Sequence, residues 1–285
     1  VNQPRLLSGH GYAHNLTIET GMFIETSCSY ELYVYGNVVA PLDAPATTTC
    51  EGDAIHLIGD GTAGGNTVVG NFEMLKVDGN YKVSGPGSQV KIGLSWGGVI
   101  IDGTQGGNLT LNGGRVDAPR FETMNSGTLT MTNAADQLFV GNNNAYFNGG
   151  STAGKLTAGT ITITDVGCLY AGGTAPDAFA PSGTNTTVFA GPTNCVQVAD
   201  PVNSFFQNVT VNAGTTLTVD TDNASYPLLG FNANGTLSRG AGVGTMTIVS
   251  GYAPLPRIAN ASGLNITGGA TTFADFGLRL LVGTA

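Results

Sequence analysis

The sequence predicts an all-β protein that folds as a right-handed parallel β-solenoid, also called a β-helix. Three observations support this prediction. The composition is rich in Gly, Asn and Thr, and short segments alternate apolar and polar residues. Turn signals recur about every eight to ten residues, which suits the sides of a coil of roughly twenty residues.

The composition excludes a helical fold and argues against disorder. Gly makes up 44 of 285 residues, and only 10% of the residues are charged. Gly, Asn and Thr form helices poorly, and no segment carries the Ala, Leu, Glu and Lys mixture of a long helix. Hydrophobic residues reach 41%, so the chain has the apolar surface that disordered chains lack. We therefore expect an ordered β protein with many tight turns.

Period-two alternation identifies the strands. Apolar residues in these segments would face one side of a sheet, and Thr or Asn the other. The clearest segments are Thr128-Leu129-Thr130-Met131-Thr132, Thr160-Ile161-Thr162-Ile163-Thr164, Thr216-Leu217-Thr218-Val219 and Thr245-Met246-Thr247-Ile248. Strands this short need many neighbours, because an isolated pair does not form a stable sheet.

The dipeptide Gly-Asn, followed by an apolar residue, marks turns between the strands. It occurs at Gly36-Asn37-Val38, Gly70-Asn71-Phe72, Gly79-Asn80-Tyr81 and Gly107-Asn108-Leu109. Both residues tolerate left-handed backbone. The same dipeptide also forms type I′ hairpins, so a β-sandwich of short hairpins is the alternative fold. The shortness of the strands and the regular turn spacing favour the solenoid.

A family resemblance covers residues 127–211. The segments GTLTMTNAADQLFVGNNNAYFNGGSTAGKLTAGTITI, FAPSGTNTTVFAG and SFFQNVTV resemble a Gly/Thr-rich repeat of large bacterial surface proteins. The run Asn142 to Asn144 departs from it, because such repeats often have Gly-Asn and a small residue there. The resemblance implies an exported β-helical protein without an established activity, and it provides no catalytic residue.

The sequence shows no clear domain boundary, so we predict a single solenoid over residues 1–285. Residues 1–103 hold most of the Tyr and all three His, which suggests a variant N-terminal cap or lobe. Residues 271–285 are expected to form a terminal strand or a donor strand for a neighbouring subunit.

Charge restricts the partners. The net charge is −9 with only 10 Lys and Arg, so the chain lacks the basic surface that nucleic acids and anionic membranes require. No apolar run approaches the roughly 20 residues that span a bilayer. The chain begins at Val1, and we expect any export signal to have been removed.

The four cysteines are spaced as two local pairs, Cys28 with Cys50 and Cys168 with Cys195. Each pair encloses a Pro/Thr/Ala-rich stretch. We predict two disulfides, each closing a protruding loop, and hence a secreted protein in an oxidising compartment. Metal binding is the competing interpretation, but no Cys-plus-His cluster supports it.

No catalytic or cofactor site can be assembled from the sequence. Asp220 and Asp222 would lie on the same side of a strand, where they could bind calcium, but a polar turn is the simpler interpretation. Four further carboxylates have no fixed spacing: Asp102, Asp117, Glu122 and Asp136. His10 and His14 are too far apart in an extended chain to share an ion. An enzyme would be distinguished by a groove holding two or more carboxylates with a cation beside them.

Two surface patterns suggest ligands. Alignment of the Thr-x-Thr runs at 128–132, 160–164 and 216–218 on one flat face would favour an ice-binding protein. Exposed aromatic residues lining one face would indicate glycan binding, and the candidates are Tyr33, Tyr35, Tyr81 and Trp96.

We therefore predict an extracellular structural or adhesive protein, either a rod-like module or the subunit of a surface filament, and not an enzyme. The alternatives are a carbohydrate-binding or polysaccharide-degrading β-helix and, less favoured, an ice-binding protein. We expect end-to-end homo-oligomers, with surface glycans as further partners and no cofactor. The predicted subunit contact is the apolar face of Phe273, Phe276, Leu278, Leu280, Leu281 and Val282.

Overall fold

The structure is a computed structural model. It describes residues 5–6, 9–22, 24–26, 31–40, 54–59, 68–85, 87–93, 95–173, 175–199, 203–220, 228–240, 247–250, 257–260, 265–267 and 279–282. Within these ranges the chain is built from short strands, and its one helical element there is the 3-10 turn η1 (Gly103–Gln105).

The strands follow one another along the chain. They are β1 (Arg5–Leu6), β2 (Gly11–Ala13), β3 (Leu16–Thr17), β4 (Glu25–Thr26), β5 (Leu32–Val34), β6 (Val38–Val39), β7 (Ile55–Leu57), β8 (Val68–Phe72), β9 (Met74–Val77), β10 (Asn80–Ser84), β11 (Gln89–Ile92), β12 (Gly98–Asp102), β13 (Asn108–Asn112), β14 (Arg115–Ala118), β15 (Arg120–Met124), β16 (Thr128–Met131), β17 (Gln137–Val140), β18 (Ala145–Phe147), β19 (Thr160–Ile163), β20 (Cys168–Ala171), β21 (Thr186–Phe189), β22 (Thr193–Val198), β23 (Phe206–Val211), β24 (Thr216–Asp220), β25 (Leu228–Arg239), β26 (Thr247–Ser250), β27 (Arg257–Asn260), β28 (Asn265–Thr267) and β29 (Arg279–Val282).

Two long sides and one short side of the solenoid are formed by stacked strands. Sheet A has eleven strands in the order β2-β5-β7-β9-β12-β15-β18-β20-β22-β24-β26. Sheet B has thirteen, in the order β3-β6-β8-β11-β14-β17-β19-β21-β23-β25-β27-β29, with β28 beside β25. Sheet C is short and contains β10, β13 and β16, while β1 and β4 form a separate pair.

Every strand pair in the described ranges is parallel. The exception to parallel pairing there is one isolated antiparallel bridge between Ser84 and Gly113. Hairpins would produce antiparallel pairs, so the β-sandwich alternative is wrong. The predicted parallel β-solenoid is confirmed, and a right hand is the general rule for its parallel crossovers.

The coils are uneven in length. Ile55 pairs with Leu75, 20 residues further along the chain, whereas Thr216 pairs with Thr247, 31 residues further along. The predicted coil of roughly twenty residues is therefore the short end of the range. The middle coils carry three strands each, for example β12, β13 and β14, which gives them three sides.

The interior is filled by the apolar residues of the alternating segments. In β16, β19 and β24 these residues are almost completely buried, namely Leu129, Met131, Ile161, Ile163, Leu217 and Val219. The sequence prediction for these segments is confirmed. Their burial on one side of each strand sets the register, because a slip of one residue would expose the whole apolar set.

A stack of phenylalanines runs along the core. Phe121, Phe147, Phe179 and Phe206 come from successive coils, and their ring centroids lie 4.8 to 5.6 Å apart. Phe231 continues the stack at 6.3 Å from Phe206. Aromatic pairs at these distances add to the burial energy of each ring, so the stack links the coils energetically.

Close coil-to-coil approach explains part of the glycine content. A Cβ atom at Gly103 would lie 2.0 Å from the backbone nitrogen of Gly127 on the next coil. No side chain fits at that distance. Gly106, by contrast, has a φ of 91° and open space around its Cα, so its glycine serves a left-handed turn.

The Cys168–Cys195 disulfide is present. The two cysteines are register partners on β20 and β22, with their Cα atoms 4.4 Å apart. The chain between them is a coil of the solenoid rather than a protruding loop, because it contributes β21 and the fully buried Phe179. The pairing is therefore confirmed and the protruding loop is wrong. Cys28 and Cys50 lie outside the described residues.

The C-terminal segment is described only at β29. Its backbone pairs with β27 of the same chain, starting from Arg257 opposite Arg279. Phe273, Phe276 and Leu278 lie outside the described residues, and the side chains of Leu280, Leu281 and Val282 are not described. The subunit contact in this segment stays a prediction, as do the N-terminal lobe at 1–103 and the donor strand at 271–285.

Candidate functional site

A column of outward side chains runs along ten of the eleven strands of sheet A. Its members are register partners on ten successive strands, from β2 to β24. We call it the central column, and it consists of Tyr12, Tyr33, His56, Lys76, Ile100, Glu122, Tyr146, Tyr170, Gln197 and Asp220. Because neighbouring strands are roughly 4.8 Å apart, consecutive members of the column are neighbours from coil to coil.

The N-terminal end of the central column is an aromatic stack. Tyr12 and Tyr33 stack with centroids 5.3 Å apart, and Tyr33 stacks on His56 at 4.7 Å. The planes are within 17° and 26° of parallel. The rings therefore stand upright on the sheet and cover one another's faces.

Below this stack lies a network of charges, which we call the Lys76 cluster: Glu31, His56, Lys76, Asp78 and Asp102. His56 Nδ1 lies 2.7 Å from Asp78 Oδ2, and its Nε2 lies 3.3 Å from Glu31 Oε1. Lys76 Nζ lies 3.5 Å from Asp78 Oδ1 and 3.1 Å from Asp102 Oδ2. The side chains of His56 and Asp78 are only 8% and 7% exposed.

Hydrogen bonds stabilise the ionised forms of Asp102 and Glu31. Partial burial would raise the pKa of Asp102, but hydrogen bonds from Thr104 and Asn125, and then Lys76, lower it well below its usual value. Partial burial would raise the pKa of Glu31, but the hydrogen bond from the Tyr33 hydroxyl and the interaction with His56 lower it. The bond to Glu31 raises the pKa of the Tyr33 phenol to about 12.

The Lys76 cluster contains the groups that acid–base chemistry uses, but they are paired with one another. Lys76 is shared between two carboxylates, and Asp102 also accepts three hydrogen bonds from Thr104 and Asn125. Partial burial would lower the pKa of Lys76, and its aspartate partners raise it, so the ammonium form is favoured. This arrangement ties four coils together at the surface of sheet A. No group of three His, Cys, Asp or Glu positioned for a metal ion occurs in the described residues.

A second feature of the central column is a cleft of about 200 Å³ near its C-terminal end. We call it the Tyr170 trough. Tyr146 and Tyr170 stack beside it, with centroids 5.0 Å apart and planes within 9° of parallel. The lining residues are Tyr146, Asn148, Tyr170, Ala171, Gly172, Gln197 and Ala199.

The aromatic residues predicted for glycan binding are not brought together. Tyr33 belongs to the central column, and Tyr35 is 48% exposed just beyond β5. Trp96 lies in the turn before β12, away from both. Tyr81 is fully buried, and its hydroxyl donates a hydrogen bond to Val34 O and accepts one from Gly59 N. Its selection as an exposed glycan-binding residue was therefore wrong. Burial raises the pKa of Tyr81 to about 12.

The predicted carboxylates are also separated. Asp117 pairs with Arg115 on sheet B at 2.7 Å, and Glu122 pairs with Arg120 on sheet A. Asp136 is a fully buried turn residue that accepts hydrogen bonds from Gly113 N and Asn133 N. Burial raises the pKa of Asp136.

Of the remaining candidates, Asp102 belongs to the Lys76 cluster. Asp220 ends the central column, and Asp222 lies outside the described residues. His10 lies 3.8 Å from Glu31, while His14 is exposed and belongs to no metal group found in the described ranges.

The three Thr-x-Thr runs lie on three different sheets. Thr128 and Thr130 belong to sheet C, Thr160 and Thr162 to sheet B, and Thr216 and Thr218 to sheet A. They therefore do not form one flat grid, which removes the alignment on which the ice-binding hypothesis depended.

Sequence reasoning missed His56, Lys76, Asp78, Tyr146 and Tyr170. Lys76 and Asp78 are two residues apart, but the other contacts among these residues join different coils, and the separation between register partners changes from 20 at Ile55–Leu75 to 27 at Cys168–Cys195. A constant repeat length therefore does not align them. The one feature of the sequence that could have indicated these residues was that they lie within alternating segments.

Fold and surface together define the chain as a parallel β-solenoid protein. No protein-family model, no curated protein and no solved structure matches it. Of the resemblance to Gly/Thr-rich repeats, the structure supports the β-solenoid fold. In the described ranges no helix has both the length and the apolar character to cross a membrane.

Proposed function

We propose that the chain is an extracellular structural or adhesive module that acts as a rigid rod. The observation that carries this proposal is the unbroken stack of eleven parallel strands in sheet A, which extends over residues 11–250. Each coil contacts mainly its neighbours, so the length of such a rod grows with coil number while its width stays constant. The Cys168–Cys195 disulfide is consistent with an exported protein in an oxidising compartment.

The proposal includes end-to-end association of subunits. A solenoid strand at either extremity offers a row of backbone donors and acceptors to a further strand. A contact between unlike ends does not close on itself, so repeated contacts would make a filament. The proposed contact segment is 271–285, and surface glycans are the proposed partners of the adhesive role.

The first experiment measures shape and assembly. The purified chain is studied by sedimentation and electron microscopy over a range of concentrations, beside a variant lacking residues 271–285. We expect rods that lengthen in steps of one subunit, and folded monomers for the truncated variant. Compact particles, or a full-length chain that stays monomeric at high concentration, would contradict the filament proposal.

A second candidate function is a polysaccharide-degrading enzyme. The Lys76 cluster favours it, because a cation between two carboxylates is the feature that distinguishes this class from a structural rod. We rank it second because the charges of the cluster already neutralise one another.

Turnover assays separate the two candidates. The wild-type chain is incubated with neutral and acidic polysaccharides, beside Asp102→Asn and the control Asp117→Asn on sheet B. For a structural rod we expect no release of sugar ends by any of the three proteins. Release by the wild type and by Asp117→Asn, lost in Asp102→Asn, would establish the enzyme instead.

A further inference from the structure

The Tyr170 trough is formed by two adjacent columns of side chains on three successive coils. Tyr146, Tyr170 and Gln197 form its wall as members of the central column. Two residues further along each strand lie Asn148, Gly172 and Ala199, which share the outward side of sheet A. Small residues follow large ones here, and the difference in size produces the cleft of about 200 Å³.

The packing of the coils requires the glycine at position 172. A Cβ atom at Gly172 would lie 2.7 Å from the Cβ of Ala199 on the next coil. Gly172 N donates a hydrogen bond to Phe147 O, and Ala199 N donates to Ala171 O. The floor of the trough is therefore held by the backbone ladder, and its depth does not depend on a flexible side chain.

The walls of the trough are held rigidly. The Cys168–Cys195 disulfide joins the two strands that carry Tyr170 and Gln197, two residues before each of them. Tyr146 stacks on Tyr170, and its hydroxyl accepts a hydrogen bond of 3.0 Å from Asn144 Nδ2. A site ordered before its ligand arrives loses little conformational entropy on binding.

The lining chemistry suits a neutral sugar. Two phenol rings and the amides of Asn148 and Gln197 surround the trough, and none of its lining residues is charged. The edges of these stacked rings offer apolar contact to the C–H groups of a pyranose, while amides and phenols exchange hydrogen bonds with its hydroxyls. Arg120 lies beside the wall, with its guanidinium carbon 5.6 Å from the Tyr146 ring centroid, but it is paired with Glu122, so its charge is already neutralised.

We propose that the Tyr170 trough binds one pyranose unit of a neutral glycan. Its volume lies below the range of about 300–1,000 Å³ that drug-sized ligands occupy, which restricts it to a single ring of a longer chain. The glycan continues beyond the trough into solvent on either side. This inference rests on the adhesive role proposed above, for which it names the site and the class of sugar, and it does not depend on end-to-end assembly.

The test titrates the disulfide-bonded chain with neutral oligosaccharides. The probes are cello-, xylo-, manno- and chito-oligosaccharides, followed by nuclear magnetic resonance and calorimetry. The trough variants are Gln197→Ala, which removes an amide, and Ala199→Gln, which fills the cleft from an exposed position. The control variant is Tyr35→Ala, which removes an exposed tyrosine far from the trough. Circular dichroism verifies that each variant is folded.

We expect at least one probe to bind, with an affinity about tenfold lower in both trough variants and unchanged in Tyr35→Ala. Reduction of the disulfide should weaken binding several-fold while the β signal in circular dichroism remains. Absence of binding by every probe overturns the proposal. Equal binding by wild type and folded trough variants also overturns it, because the sugar would then bind elsewhere.

Discussion

The phenylalanine stack provides a sharp test of the inward and outward assignment. Phe147 on β18 is fully buried, with ring centroids 5.6 Å from Phe121 and 4.8 Å from Phe179. Phe139 on β17 points outward and is half-buried, with the guanidinium of Arg115 3.9 Å above its ring. Replacing either residue by Ala removes the same ring atoms, from the core for Phe147 and from the surface for Phe139.

The two substitutions differ in expected magnitude. Phe147→Ala leaves a cavity and removes two aromatic contacts, so we expect a loss of about 4 kcal/mol in the free energy of unfolding. Phe139→Ala removes one exposed cation–π contact and little burial, so we expect a loss of about 1 kcal/mol. The ratio of the two losses is more informative than either loss alone, because both variants change the free energy of the unfolded chain by a similar amount.

Urea unfolding followed by circular dichroism measures both losses. Hydrogen exchange locates them, and for Phe147→Ala we expect reduced protection in β15, β18 and β20, since a solenoid coil contacts mainly its neighbours. Equal losses in the two variants, or a larger loss for Phe139→Ala, would refute the assignment of the core.

Three further predictions concern cross-links, charge and backbone. The double variant Cys168→Ala/Cys195→Ala should lose about 3.5 kcal/mol by chain entropy, measured by urea unfolding; a loss below about 1 kcal/mol would show that coil stacking alone holds these strands. The folded-state pKa of Asp102 is lowered, so its stabilising effect is present at pH 7 and lost as pH falls below about 4. Wild type should therefore exceed Asp102→Asn in stability at pH 7, with a gap that narrows from pH 4 to pH 2; a gap independent of pH would contradict this. Gly103→Ala should destabilise the chain by about 2 kcal/mol or more, because its Cβ meets the next coil. Gly106→Ala should lose only about 1 kcal/mol of left-handed strain, and a reversed order in thermal melts would be inconsistent with the coil spacing.

Local patterns were sufficient to predict the strands. The apolar residues of 128–131, 160–163 and 216–219 are buried where the alternation placed them, because a strand has a period of two whatever its neighbours are. The Gly-Asn signal was less accurate, because Asn80 is already the first residue of β10 and Gly70-Asn71 lies inside β8 rather than in a turn. Cys168 and Cys195 were paired correctly from spacing, although the intervening residues form a coil with its own core residue, Phe179.

Local sequence patterns could not predict the candidate sites. Tyr81 and Tyr33 occur in similar alternating segments, yet one fills the core and the other stands on the surface. Which side of a strand is inside depends on the register with the next coil, and here the register partner lies 20 to 31 residues away. The ion pair of Lys76 with Asp102 follows from the same register, whereas Lys76 and Asp78 lie two residues apart in one segment.

The sequence by itself determined the fold class, the short strands, the buried alternation and one disulfide, because these depend on composition and on neighbours within a few residues. Only the tertiary structure decided which surface residues meet. The central column, the Lys76 cluster and the Tyr170 trough all join residues from different coils of unequal length. Their contacts arise from the stacking of coils about 4.8 Å apart, which no constant repeat in the sequence encodes.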